Sequence, residues 1–73
     1  MTLNREQAQH DNEELYNDAV QSEIGAALSH DGAMHCYRVA QKIGKSQMEA
    51  RWHLEQMRDR GEVEFSWIKG YSV

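Results

Sequence analysis

The sequence predicts one mostly α domain, three helices closed by a small C-terminal β-hairpin, on three observations. The chain has 73 residues, an ordinary charged fraction and no proline, the profile of one small domain. Between residues 40 and 63, apolar and small residues recur where a helix, a tight turn, a second helix and a strand need them. Finally, Glu62-Val63-Glu64-Phe65-Ser66-Trp67 alternates polar and apolar side chains, the period of a half-buried strand.

The elements follow in order. Residues 1–10 are polar helix formers with no apolar face, so a frayed tail or a loosely held extra turn precedes the domain proper at 11–73. Asp11 and Glu14 have the spacing of a capping box. Tyr16, Val20, Ile24, Ala27 and Leu28 then line one face, which predicts a first helix over roughly residues 12–29. His30-Asp31-Gly32 ends it in a turn. Ala33, Met34 and His35 form a connector or a scrap of strand. A second helix runs from about Cys36 to Ile43 with Val39, Ala40 and Ile43 inward. Gly44 suits the left-handed C′ position, and Ser46 with Glu49 forms a capping box for the next helix. That helix, Gln47 to about Arg60, turns Ala50, Leu54 and Met57 to the core. Gly61 stops it, residues 62–67 form a strand, Ile68-Lys69-Gly70 turns, and Tyr71-Ser72-Val73 returns. In this reading Trp67 and Tyr71 staple the hairpin to the helices.

Composition bounds the function. A core this small is marginal without compact helix packing or oligomerisation. The single Cys36 excludes an intrachain disulfide and a cysteine-rich metal cluster. The start of the chain lacks the apolar run of a signal peptide, and no later run reaches membrane-spanning length, so a cytoplasmic protein with no membrane role is expected. Net charge is −4, and it is unevenly placed. Residues 1–31 hold seven acidic side chains against Arg5, a sum of −6; residues 32–73 hold seven basic against five acidic, a sum of +2. The acidic half can face away from a polyanion while the other half approaches it.

A helix, a three-residue turn with a glycine, and a second capped helix form the grammar of a helix-turn-helix, whose second helix is presented for recognition. Two following strands make a wing. The run Ala40-x-x-Ile43-Gly44-x-Ser46-x-x-x-Ala50-x-x-x-Leu54-x-x-Met57-x-x-x-Gly61-x-Val63 resembles the winged helix-turn-helix regulators of bacteria, their phages and plasmids. In size and in Ala50-Arg51-Trp52-His53-Leu54, the chain is most similar to the small FaeA-like regulators of pilus operons. The resemblance covers about residues 24–73 and implies a three-helix DNA-binding fold. The chain departs from that pattern in its acidic N-terminal helix and in a wing without a basic cluster.

With Ala50, Leu54 and Met57 inward, the third helix shows Met48, Trp52 and Glu55, flanked by Gln47, Arg51 and Arg58. Residues near the start of such a helix reach base edges. Gln47 matches adenine and Arg51 matches guanine in donor and acceptor geometry, and Met48 or Trp52 can pack on a thymine methyl. Lys42, Lys45 and Ser46 near the turn, Arg38 on the second helix and Lys69 at the wing tip are candidates for phosphate contact.

Plainer roles compete. Ser46 and Glu49 cap a helix. Arg51 and Glu55 form an i, i+4 pair worth about a few tenths of a kcal/mol. Met48 and Trp52 pack on each other or on the core edge. An exposed Met48–Trp52 patch beside Glu55 suits a protein partner as well as DNA. His10, His30, His35, His53 and Cys36 match no tetrahedral zinc spacing. No nucleophile elbow, phosphate loop or acid pair points to an enzyme, and no cofactor is implied.

Two functions therefore compete: a sequence-specific regulator that binds double-stranded DNA, and a winged-helix module that binds another protein through the same face. Leu15, Ala19 and Ala26 widen the apolar surface of the first helix, which predicts a homodimer through that helix and a palindromic DNA site.

Overall fold

In the computed structural model, the backbone is described from Thr2 to Val73 and the side chains from Asn17 onward. Three helices are followed by a two-stranded antiparallel hairpin: α1 (Thr2–Asp31), α2 (Cys36–Ile43), α3 (Gln47–Asp59), β1 (Glu64–Ser66) and β2 (Gly70–Ser72). This order agrees with the expected one.

Helix α1 departs from expectation at its start. It begins at Thr2 rather than near residue 12, because residues 2–10 carry no glycine or proline to break it. The expected Asp11–Glu14 box, and Leu15 and Tyr16, lie outside the described side chains. Val20, Ile24 and Leu28 are buried, and Ala27 is half-buried. Each large aliphatic buried there contributes about 1.5–3 kcal/mol.

The turn between α2 and α3 is built as its residues dictate. Gly44 caps α2 at φ 68°, ψ 34°, a conformation that costs glycine nothing sterically. The Lys45 amide donates to the Ala40 carbonyl at 3.0 Å. Ser46 then opens α3, its Oγ accepting from the Glu49 amide at 3.1 Å. Val39 and Ala40 of α2 meet Ala50, Leu54 and Met57 of α3 and the α1 stripe in one core. Ile43 and Cys36 pack at its edge.

The hairpin is shorter than the alternation suggests. Its register pairs Glu64 with Ser72, Phe65 with Tyr71 and Ser66 with Gly70. The Met34 scrap of strand forms as well: Met34 and Tyr71 exchange both backbone hydrogen bonds, at 2.9 and 2.8 Å. β2 thus lies between β1 and Met34 and ties the hairpin to the α1–α2 connection. Tyr71 is buried, as expected for the staple, and so is Val63 at the start of the strand region. Trp67 is not: it is 86% exposed. The strand ends at Ser66 and the turn takes over at 67, so the alternating face stops one apolar residue early.

Gly70 enforces that early turn. It adopts φ 89°, and a Cβ there would lie 2.5 Å from the Met34 carbonyl oxygen. Only glycine allows β2 this close to Met34.

Candidate nucleic-acid interface

The nine expected contact residues fall into three groups. Gln47, Met48, Arg51 and Trp52 are exposed together on the outer side of α3. Met48 is 83% and Trp52 49% exposed, so the alternative that they bury each other fails. Trp52 instead sets its ring edge-on to His53, centroids 4.9 Å apart. Ser46 is committed to the cap, with the half-buried Lys45 beside it. Arg38, Lys42 and Lys69 meet across a surface groove of about 440 Å³ that Asp31, His35 and Tyr37 also line.

That groove joins α2 to the hairpin tip. His35, the N-cap residue of α2, pairs its Nε2 with the Ile68 carbonyl at 3.1 Å, which ties the tip to the helix. Lys42 forms an ion pair with Asp31 at 3.0 Å. The Asp31 carboxyl is held below its ordinary 3.8, first by its His30 hydrogen bond and then by Lys42. The acid offsets one of the groove's cations, leaving Arg38 and Lys69 as the balance.

A second groove of about 410 Å³ runs between α3 and the hairpin, lined by Arg51, Glu55, Arg58, Phe65, Trp67 and Tyr71 among others. Glu55 pairs with Arg58 at 3.6 Å, where the sequence suggested Arg51. Arg58 also lies over the Phe65 ring, 5.6 Å from its centroid, and Phe65 packs on Tyr71 at 4.9 Å. Burial, then the Glu55 carboxylate, raises the Tyr71 hydroxyl above its ordinary 10.0. The phenol therefore stays neutral at physiological pH. Gln47 reaches back to the Cys36 sulfur, Nε2 to Sγ 3.7 Å, which orients the first residue of α3.

On the opposite side of α3 lies a polar network that the sequence reading missed. Gln21 and His53 are both buried. The Gln21 Nε2 faces His53 Nδ1 at 3.2 Å and donates to Gln56 Oε1 at 3.1 Å. Its Oε1 accepts from the Arg60 guanidinium, which also forks onto Glu62 at 3.0 and 3.1 Å. Both N–H groups of the Gln21 amide and its Oε1 have partners, so its orientation is set and His53 Nδ1 accepts. Burial lowers the His53 pKa below 6.5, consistent with a neutral ring. His53 was legible, being three residues after Ala50 on the buried stripe; Gln21, three residues before Ile24 and seven before Leu28, borders the α1 stripe, and only its polarity reads as solvent-facing.

Among the described residues, no group of three or more His, Cys, Asp or Glu side chains is placed to hold a metal ion, and no helix is long and apolar enough to cross a membrane. The arrangement defines a class: three helices and a hairpin presenting a capped helix with an exposed polar–aromatic face. Comparison of the chain with protein-family models, curated proteins and solved structures finds no match.

Proposed function

We propose that this protein is a small sequence-specific DNA-binding protein, a cytoplasmic transcriptional regulator of the winged helix-turn-helix class, resembling the FaeA-like regulators. Helix α3 enters the major groove. The observation that supports this most is the joint exposure of Gln47, Met48, Arg51 and Trp52 on a helix whose other side is locked in the core. Gln47 and Arg51 supply base-edge hydrogen bonds. Arg38 and Lys69, with Lys42 and Lys45 near the turn, meet phosphates. A homodimer through α1 presents two copies of α3; its exposed Ala19 and Ala26 favour close helix approach.

Gel-shift titration against genomic fragments tests the proposal. Arg51→Ala is expected to weaken specific binding by about 1–3 kcal/mol, and Lys69→Ala to lower the salt slope by about one. No fragment bound at low salt, with Arg51→Ala and Gln47→Ala without effect, would defeat it.

A second reading has its own observation. Met48 at 83% exposure and Trp52 at 49%, next to the Glu55–Arg58 pair, offer an apolar patch with mixed charge that suits a protein partner. A stoichiometric protein complex lost on Trp52→Ala, without DNA affinity, would favour that reading.

A further inference from the structure

We infer that β1 is a contact edge for a second copy of this chain, the two β1 strands pairing antiparallel about a two-fold axis at Phe65. The inference stands apart from the DNA reading of α3 and from the contact through α1.

The hydrogen-bond pattern defines what the edge offers. Tyr71 spends its amide and its carbonyl on Met34, on the side of β2 away from β1. Phe65 lies opposite Tyr71 in the register, so these two residues form a pair with no hydrogen bonds between them. The Phe65 amide and carbonyl therefore point away from β2, to the outer edge of the hairpin. Among the described residues, no group takes them up. One donor and one acceptor on a single exposed residue are the set by which an antiparallel strand is added to a sheet.

The side chains select which strand that is. Phe65 and Trp67 line the groove against α3, and Glu64 and Ser66 take the other face of the strand. Trp67 is 86% and Phe65 38% exposed, although Val63, Phe65 and Trp67 alternate as a covered face does. A second β1 centred on Phe65 exchanges both hydrogen bonds between the two Phe65 residues. It sets each Trp67 opposite the other copy's Val63 and diagonal to its Phe65, within reach of an aromatic ring. On the other face, Glu64 meets the second copy's Ser66. The Ser66 Oγ accepts from the Lys69 amide at 3.4 Å, which leaves its hydroxyl proton to donate to that carboxylate. In this register the one charged residue of β1 thus faces a donor and not a like charge. The strand complements itself.

Its length sets the strength. A strand of three residues with two shared backbone hydrogen bonds buries less than the roughly 1,200 Å² of a standard interface. The dimer is weak, with a Kd on the order of 10⁻⁴ M.

The test records spectra of the full chain over concentrations that bracket this value. The Phe65 amide and the Trp67 indole N–H, assigned with Trp67→Phe, are expected to shift with concentration. A sample mixing labelled and unlabelled chains should show a contact between copies from the Glu64 Hα to the Ser66 Hα. Ser66→Glu places like charges opposite each other at both ends of the pairing and should weaken the dimer about 10-fold, and Ser66→Lys should tighten it by a similar factor. Should a variant fail to fold, the contact between copies of the parent chain still decides. Spectra unchanged by concentration overturn the inference. Shifts confined to α1, or self-association that both Ser66 variants leave unaltered, overturn it too and assign the dimer to another surface. A peptide spanning residues 62–69 should also move the Phe65 amide. A scrambled peptide of the same composition that moves it as far overturns the second copy as occupant and makes the edge a dock for any extended chain.

Discussion

His53 is 2% exposed, and its Nδ1 meets an N–H of Gln21. A proton on Nδ1 would set two donors against each other, and Gln21 cannot turn over without releasing Arg60 and Gln56. Burial is the largest cause of the lowered His53 pKa; Lys45 adds to it and Glu49 opposes it. A histidine with a folded pKa below 6.5 takes its proton more readily when unfolded. Stability is then fully present above about 6.5 and falls as pH drops from there to the folded value, by at most about 1.4 kcal/mol per pH unit. Asp31 and Glu62, held below 3.8 and 4.5, stay ionised in that window. Thermal melts from about pH 7 to pH 5 should show a falling midpoint, and His53→Gln should flatten the slope. An unchanged slope in the variant would remove His53 from the account. Gly70 makes a second residue-scale prediction. Gly70→Ala meets the Met34 backbone as well as a left-handed φ, whereas Gly32→Ala has the same φ of 89° in open space. Roughly 1 kcal/mol is expected for Gly32→Ala and more than about 2 kcal/mol for Gly70→Ala. Of a total near 4–10 kcal/mol for a domain this size, the second is a severe loss, and denaturant titration separates the two.

Each element rests on few residues, so a single change reads it out. The α3 N-terminus has the Ser46 cap, and Ser46→Ala should cost about 1 kcal/mol. In the hairpin, the alternating pattern put Val63, Phe65 and Trp67 on one face, yet only Val63 is fully buried. Tyr71→Ala is expected to destabilise by roughly 3 kcal/mol, and Trp67→Ala by less than about 0.5 kcal/mol. Equal losses from the two would restore Trp67 to the core. The contrast shows what a sequence of this kind discloses. Gly44, Ser46 and the Ala50–Leu54–Met57 spacing made the α2–α3 unit legible, since each local preference points the same way. Strand ends were less legible, because alternation persists through a turn set by Gly70 and Met34, which are far apart in sequence. The start of α1 misled for a related reason: a good cap at Asp11 does not end a helix that nothing upstream interrupts. The joint exposure of Gln47, Met48, Arg51 and Trp52 on α3 followed from one helical wheel. The groove shared by Arg38, Lys42 and Lys69 joins residues up to 31 positions apart, and no periodicity reports it.

At the scale of the whole molecule, shape and charge divide together. The 30-residue α1 is about 45 Å long at 1.5 Å per residue, against a long axis of 49 Å. Its described buried residues run from Val20 to Leu28. The acidic charge of residues 1–31 therefore lies along one long element, while the basic excess belongs to the compact part that carries α3 and the hairpin. A polyanion bound as proposed would meet α1 at its C-terminal end, where Asp31 pairs with Lys42 in the groove, and its affinity would be strongly salt-dependent. Sedimentation should show a dimer through α1; a monomer at high concentration would remove the palindromic site from the proposal. Binding of duplex DNA to the outer face of α3, as proposed, is checked by amide chemical-shift mapping during titration with a short duplex. The expected result is shifts concentrated at residues 45–55 and 66–70, with α1 silent up to its last turn, where Asp31 lines the groove. Shifts confined to α1, or none at saturating duplex and low salt, would contradict it.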